Sequence, residues 1–331
     1  MKLRIFGESH APEIGVEIEG VPKGTAVDMG ELQAFLDRRA PGNGQGGMST
    51  PRKEPDHVEF ESGVVDSCAS LTSGEDTASP FCVATGGTIR AVIRNTNTRP
   101  QDYANVQTVP RPGHADYASW LQCGKIPTGG GKWSGRMTAP LCIAGGIALQ
   151  MLATKGVTIA SAVRRGGGDA AVPEGDSVGG VVEVVATGFP AGYGDVGTEG
   201  LESKLASAFF GIPAVKGVEF GDGFNLADQL GSQANDAFAI SESGESVKRV
   251  VLKTNHCGGI LGGVSVGMPI VARLAFKPTP SISLEQDSVD LVTMTPAKIT
   301  VKGRHDRCVA FRGAVAAEAA MAVVLATEIF G

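Results

Sequence analysis

The sequence has no Cys-x-x-Cys pair, no long apolar run and few aromatics, and its charge balance is not basic. Each absence closes off a class of protein. The six cysteines, at 68, 82, 123, 142, 257 and 308, are scattered, which argues against a zinc site or a disulfide framework and for reduced, mostly buried thiols. No unbroken apolar run reaches the roughly 18 residues needed to cross a bilayer. Met1-Lys2-Leu3-Arg4-Ile5-Phe6 lacks the apolar stretch and cleavage site of a signal peptide. The expected address is the cytoplasm, with no membrane partner. A formal net charge of -6 argues against a surface that attracts nucleic acid as a whole, although a local basic pocket remains open. No His, Cys, Asp and Glu cluster has metal-ligand spacing, so no metal is expected. There is no Gly-x-Ser-x-Gly elbow, and Gly129-Gly130-Gly131-Lys132 lacks the spacing of a nucleotide-binding P-loop.

What is present is glycine, 47 of 331 residues, against 5% aromatics, so backbone geometry carries unusual weight. Because 42% of the residues are hydrophobic and fall in periodic segments, the chain reads as globular, with ordered glycine-rich loops. Residues 13–19 alternate as a half-buried strand with Ile14, Val16 and Ile18 on one face. Asp28 and Glu31 have capping-box spacing ahead of Leu32, Phe35 and Leu36, which predicts a helix that ends near Arg38 and Arg39 before Pro41-Gly42. Further strands are expected at 57–60, 81–84, 88–94, 269–276 and 299–301. Small-residue helices are expected over about 136–153 and from Arg312 onward.

The second half repeats the order of the first. Val182-Glu183-Val184 answers Val16-Glu17-Ile18, the turn at 189–192 answers the turn at 21–24, and a helix over about 201–210 answers the one after Asp28. This pattern predicts one α+β domain built by internal duplication, with halves of about 1–156 and 157–331, because each half alone would leave an apolar strand face uncovered.

Two histidines sit in polar, glycine-rich settings: His10 in Gly7-Glu8-Ser9-His10, and His114 in Arg111-Pro112-Gly113-His114-Ala115-Asp116-Tyr117. A group that titrates near neutrality, beside backbone that can approach a ligand closely and beside fixed cations, suits proton transfer to a leaving phosphate. The cations are Arg38, Arg39, Arg52, Lys132, Arg136, Lys277, Arg304 and Arg312, most of them next to Gly, Pro or Ser. Ser134 and Arg136 stand where a glycine-rich loop enters a helix, a natural place for an anion. In Gly303-Arg304-His305-Asp306, Arg304 could bind an anion and Asp306 could serve as a base, or the segment could be a charged turn. His57 reads as structural, and His256 has no evident partner.

Together, Gly-Glu-Ser-His (7–10), Arg-Pro-Gly-His-Ala-Asp-Tyr (111–117), Val-Lys-Gly-Val-Glu (215–219), Gly-Gly-Ile-Leu-Gly-Gly (258–263), Lys-Pro-Thr (277–279) and Gly-Arg-His-Asp (303–306) resemble chorismate synthase over nearly the whole chain. The resemblance implies helices sandwiched between two mainly antiparallel sheets and a homotetramer. It implies a lyase of aromatic amino acid biosynthesis that turns 5-enolpyruvylshikimate 3-phosphate into chorismate by 1,4-elimination with reduced FMN. Whether the chain reduces FMN with NADPH or relies on an external reductase is left open. By the same resemblance, His10 would protonate the departing phosphate, His114 would serve the reduced flavin, and Asp306 would act as base toward its N5. Ser9, Arg39, Ser134, Arg136 and Arg304 would hold substrate. Lys132, Trp133, Ser134, Pro213, Ala214, Gly262, Lys277, Pro278, Thr279, Pro280, Ser281 and Arg304 would hold the flavin.

The chain departs from the family pattern in Lys132-Trp133-Ser134-Gly135-Arg136-Met137-Thr138, in Pro213 and Pro280, in a loop at 43–48 without its usual arginine (Arg52 standing nearby), and in a short segment between Arg164 and Ser177. Two other functions fit the same residues: a non-catalytic phosphometabolite-binding protein, against which His10, His114 and Asp306 speak, and a flavin-independent phosphatase, which would lack a flavin absorbance band.

Overall fold

The computed structural model describes residues 1–42, 48–50, 56–66, 81–96, 106–166, 172–241, 249–301 and 305–331. In chain order the first half runs β1 (Lys2–Gly7), β2 (Glu13–Glu19), β3 (Ala26–Asp28), α1 (Met29–Arg39), β4 (Glu59–Ser62), β5 (Val64–Asp66), β6 (Phe81–Ala84), β7 (Ile89–Arg94), α2 (Asp116–Cys123) and α3 (Thr138–Ala153). There follow β8 (Thr158–Gly166), β9 (Gly180–Thr187), α4 (Leu201–Phe210), β10 (Val215–Phe220), α5 (Gly231–Ala234), β11 (Phe238–Ile240), β12 (Val250–Leu252), β13 (Ile260–Leu261) and β14 (Val264–Ser265). The chain closes with β15 (Ile270–Phe276), β16 (Gln286–Asp290), β17 (Thr295–Ile299) and α6 (Ala310–Phe330).

Two four-stranded antiparallel sheets face each other across the helices, with orders β1-β2-β7-β4 and β8-β9-β15-β10. Alternation explains the inner faces: Ile14, Val16 and Ile18 of β2 and Val182, Val184 and Ala186 of β9 are fully buried. Between the sheets, α3 lies on β2 and β7, α6 lies on β8 and β9, and the two helices pack on each other. Their small residues make that approach possible. A Cβ on Gly145 would sit 2.3 Å from the Cβ of Ala319, so any larger residue would push the helices apart. Helix α1 begins as the sequence predicts, with Asp28 Oδ1 accepting a 2.9 Å hydrogen bond from the Glu31 amide. It ends at Ala40, which Pro41 pushes into an extended conformation, ψ 147°.

Several expectations shift. A strand at 57–60 becomes Glu59–Ser62, because Asp56 is drawn fully into the interior and turns His57 outward. The strand at 299–301 is instead the end of β17, whose ladder with β16 stops at the Gln286 and Ile299 pair. A 3-10 turn at Gly135–Met137 precedes α3, and α6 opens at Ala310, two residues before Arg312. Contrary to the reading of apolar runs, the helical stretches Gly135–Ala153 and Ala310–Phe330 are long and apolar enough to cross a membrane, but 78% and 67% of those windows are buried in the core. Averaged hydropathy finds them where an unbroken run does not. Among the described cysteines, 82, 142 and 308 are buried, 257 is half-buried and 123 is exposed, and none of them forms a disulfide. Burial pushes the Cys142 thiol up to about 12.

Candidate active site

A cavity of about 430 Å³ opens where the loops before α3, after α4, after β15 and before α6 converge. Among the described residues its wall carries five cationic side chains, Arg111, Lys132, Arg136, Lys277 and Arg312, and a single carboxylate, Asp306. An excess of positive charge in a partly desolvated cleft is what an anionic ligand requires, and it coexists with a net charge of -6 on the whole chain.

The triple glycine builds the centre. Gly129 and Gly130 have φ of +64° and +88°, in the left-handed region that glycine tolerates. A Cβ on Gly129 would lie 2.1 Å from His10 Cε1, and one on Gly130 would lie 3.0 Å from His114 Cε1. Two consecutive residues of one turn therefore lie against the two histidines, which bridges them through backbone. Ser9 locks the same turn. Its hydroxyl donates to the Gly129 carbonyl at 3.1 Å and lies 3.2 Å from His10 Nδ1, and its amide donates to the Gly131 carbonyl at 3.3 Å.

His114 is held from behind, with Nδ1 2.6 Å from Asp116 Oδ1 and 3.1 Å from Arg111 Nη2. Arg111 forks onto the same carboxylate, Nε to Oδ2 at 2.7 Å and Nη2 to Oδ1 at 2.8 Å, and Nη1 donates to Ser281 Oγ at 2.9 Å. Burial pushes the Asp116 carboxyl upward, but Arg111 and His114 outweigh it and hold it well below the usual carboxylate range. Burial also lowers His114, the Asp116 hydrogen bond opposing that shift and the Arg111 charge adding to it.

Also in the lining, Asp306 Oδ1 accepts from the Thr50 amide at 2.9 Å and Oδ2 pairs with Arg312 Nη1 at 3.1 Å, while Arg312 Nε donates to the Arg39 carbonyl at 3.2 Å. Beneath the cavity Asp56, fully buried, pairs with both Arg39 and Arg136. Burial raises its carboxyl, but the two guanidinium groups prevail and the net shift is downward. Arg136 Nε also donates to Asn95 Oδ1 at 3.2 Å, and the Arg136 amide donates to Ser134 Oγ at 3.3 Å.

Of the residues singled out from sequence, His114, Lys132, Trp133, Ser134, Arg136, Pro213, Ala214, Lys277, Thr279, Pro280, Ser281 and Asp306 line this one cavity. His10 and Ser9 reach it through Gly129. Arg39 does not line it; with 0% exposure its guanidinium sits on Asp56, behind Arg136. Pro278 and Gly262 are not in the lining either, and Gly262 belongs to the turn between β13 and β14. Arg304, Gly303, Arg52 and the 43–47 loop fall outside the described residues. His256, for which the sequence offers no partner, has Asp222 2.6 Å from its Nδ1.

The sequence reading missed Asp56 and the joint action of Arg111 and Asp116. Asp56 sits in Pro55-Asp56-His57 with nothing local to mark it, whereas the Arg111 and Asp116 spacing was available. Two further details bear on a ligand. Ala214 has φ +75°, a conformation disfavoured for alanine, and Thr279 Oγ1 is buried without a hydrogen-bond partner among the described residues. Lys132 Nζ rests 4.5 Å from the centre of the Trp133 ring.

The chorismate synthase family model matches residues 1–172 and 168–330. A chorismate synthase of Lancefieldella parvula is 40% identical, the alignment covering 100% of this chain and 94% of that relative. One of Pyrococcus abyssi is 38% identical over 99% of this chain and 96% of its own length. A crystal structure of chorismate synthase shares the fold, with a TM-score of 0.68 at 24% identity, covering 99% of this chain and 92% of that one. The chain belongs to the chorismate synthase family, the chorismate-forming lyases of the shikimate pathway.

Proposed function

We propose that the protein converts 5-enolpyruvylshikimate 3-phosphate to chorismate and phosphate by 1,4-elimination, with reduced FMN bound in the same cavity as the substrate. The observation that carries this reading is the gathering of five cations, one carboxylate and His114 around one cleft, with His10 reaching it across Gly129.

The residues present fit a flavin. Thr279 Oγ1 is a buried polar atom lacking a partner among the described residues, Ala214 on the same cavity wall holds an unfavourable φ, and the Gly129-Gly130 backbone presents no side chain. Lys132, Trp133, Ser134, Pro213, Ala214, Lys277, Thr279, Pro280 and Ser281 would hold the cofactor. Bound reduced FMN would supply electron density that eases C–O cleavage and is recovered as the hydrogen leaves.

The chain's own groups do the rest. His10, oriented by Ser9, gives a proton to the departing phosphate oxygen. Arg136, held by Asp56 and Asn95, binds phosphate or carboxylate, and Arg39 keeps Asp56 charged. Asp306, fixed by Thr50 and Arg312, accepts a proton at the cavity wall.

The halves 1–156 and 157–331 are read as two copies of one α+β unit, which the matching order of the two sheets supports. A homotetramer is supported by exposed Phe224, Leu230, Phe238 and Ile240. Since Gly262 does not line its own chain's cavity, a flavin role for it requires a neighbouring subunit. Burial of α3 and α6 in the core supports a cytoplasmic enzyme.

The test is anaerobic incubation with 5-enolpyruvylshikimate 3-phosphate and photoreduced FMN, following chorismate absorbance. Chorismate should form only with reduced FMN. Phosphate release at the same rate without flavin would point to a phosphatase, and absence of turnover with bound ligand would point to a binding protein.

A further inference from the structure

The back wall of the cavity pairs each polar atom of Asp116 with a specific donor. Oδ2 takes the Arg111 amide at 3.0 Å and Arg111 Nε at 2.7 Å, and Oδ1 takes Arg111 Nη2 at 2.8 Å and faces His114 Nδ1 at 2.6 Å. A carboxylate can only accept, and Arg111 can only donate. The 2.6 Å contact to an acceptor therefore requires a proton on Nδ1, and Arg111 Nη2, 3.1 Å from the same nitrogen, bonds Oδ1 with one of its two hydrogens and finds no lone pair on a protonated Nδ1 for the other. The other face of the imidazole meets Gly130, whose Cβ would lie 3.1 Å from Nε2. The charged groups acting on this ring are Asp116 on α2, Arg111 before it, and Lys277 after β15, whose Nζ bonds the Gly113 carbonyl.

We propose that Asp116 is a positioning residue that holds neutral His114, a residue of the cavity lining, with its proton on Nδ1, so that Nε2, beside Gly130 in the glycine turn, is left as a proton acceptor. An anionic ligand would then be met by a donor only after Nε2 takes a proton from solvent, giving an imidazolium held between Asp116 and the ligand. Ligand binding would thus carry a proton into the cavity. The catalytic consequence rests on the cavity being the reaction site. The tautomer does not, since it belongs to the ligand-free protein.

Asp116→Asn makes the assignment testable. The two donors at the Oδ2 position hold the amide oxygen there, which turns the amide NH2 toward His114 Nδ1. That NH2 and Arg111 Nη2 would both donate to Nδ1 and drive the ring proton to Nε2. The experiment is ¹⁵N NMR of ring-labelled histidine in the ligand-free protein at a pH where His114 is neutral. The wild type should show Nδ1–H, with its proton shifted far downfield by the short bond to a carboxylate, and Asp116→Asn should show Nε2–H. Turnover of the variant should fall by roughly two orders of magnitude or more, and Asp116→Glu should recover part of it. A wild-type ring protonated on Nε2 overturns the proposal, and this spectrum decides even if the variant fails to fold. An unchanged tautomer in a folded Asp116→Asn variant overturns the assignment to Asp116. Neither spectrum involves flavin or substrate, so a failed turnover assay and a failed tautomer assignment are told apart.

Discussion

Replacing Gly129 by alanine is expected to disable His10 without substituting it. The new methyl would lie 2.1 Å from His10 Cε1 and 2.2 Å from Nδ1, well inside contact distance, at a φ of +64°. Alanine in that conformation costs roughly 1–2 kcal/mol by itself. The overlap adds a second cost, relieved only by rotating the imidazole off Ser9 or moving the turn. A displacement of about 1 Å in a catalytic group lowers turnover by about 10²-fold. The assay is a double-mutant cycle with His10→Ala, using urea denaturation for stability and chorismate formation for activity. With His10 truncated, the added methyl meets no ring and only the Ser9 Oγ at 3.1 Å, which can shift slightly, so Gly129→Ala should cost little beyond its φ penalty and should lower the residual rate no further. Equal losses in both backgrounds would refute the claim that Gly129 acts through His10.

Asp56→Ala should be strongly destabilising, by about 3–5 kcal/mol in urea denaturation, because it leaves the fully buried Arg39 and nearly buried Arg136 without their shared counter-charge. A loss below about 1 kcal/mol, the range of a surface pair, would contradict the burial argument. Asp56 and Asp116 both have folded pKa values below their ordinary ones, so their stabilisation is complete above the unfolded carboxylate range near pH 4 and fades as pH falls further. His114 is lowered too, so its unfolded form takes up a proton first, and stability should begin to fall below about pH 6.5. Thermal denaturation against pH should show the upper of these losses disappear in His114→Gln, and persistence of that loss would count against the assignment. FMN added to the protein should quench Trp133 emission, since Trp133 lines the cavity, whereas a Trp133→Phe variant should show the change only from Trp120, which does not line it. Equal quenching in both proteins would place the flavin elsewhere.

Local pattern made much of this fold legible. The Asp28 cap and the Leu32, Phe35 and Leu36 stripe mark α1, and alternation marks β2 and β9, because those signals lie within a turn or a few residues. The apolar character of α3 and α6 was harder to read, since Arg136 at one start and Glu318 in the middle of the other interrupt any run. Glu318 is tolerated at 1% exposure because Arg38 forks onto it and Ser161 donates to it. In the site, the titratable groups and glycines were visible as residue types, but their pairing was not. Asp56 is 17 positions from Arg39 and 80 from Arg136, and Asp222 is 34 from His256, distances that only the folded chain closes. Arg39 shows that residue type does not give place, since a guanidinium expected to touch ligand lies fully buried on Asp56, which it shares with the cavity-lining Arg136.

The most direct measurement is a crystal structure of the protein with FMN and 5-enolpyruvylshikimate 3-phosphate bound together. It should show the isoalloxazine against Ala214 and Thr279, the 3-phosphate within hydrogen-bond reach of His10, and Asp306 facing the flavin. Ligands bound on another surface, or a phosphate out of reach of both His10 and His114, would contradict the shared-cavity reading.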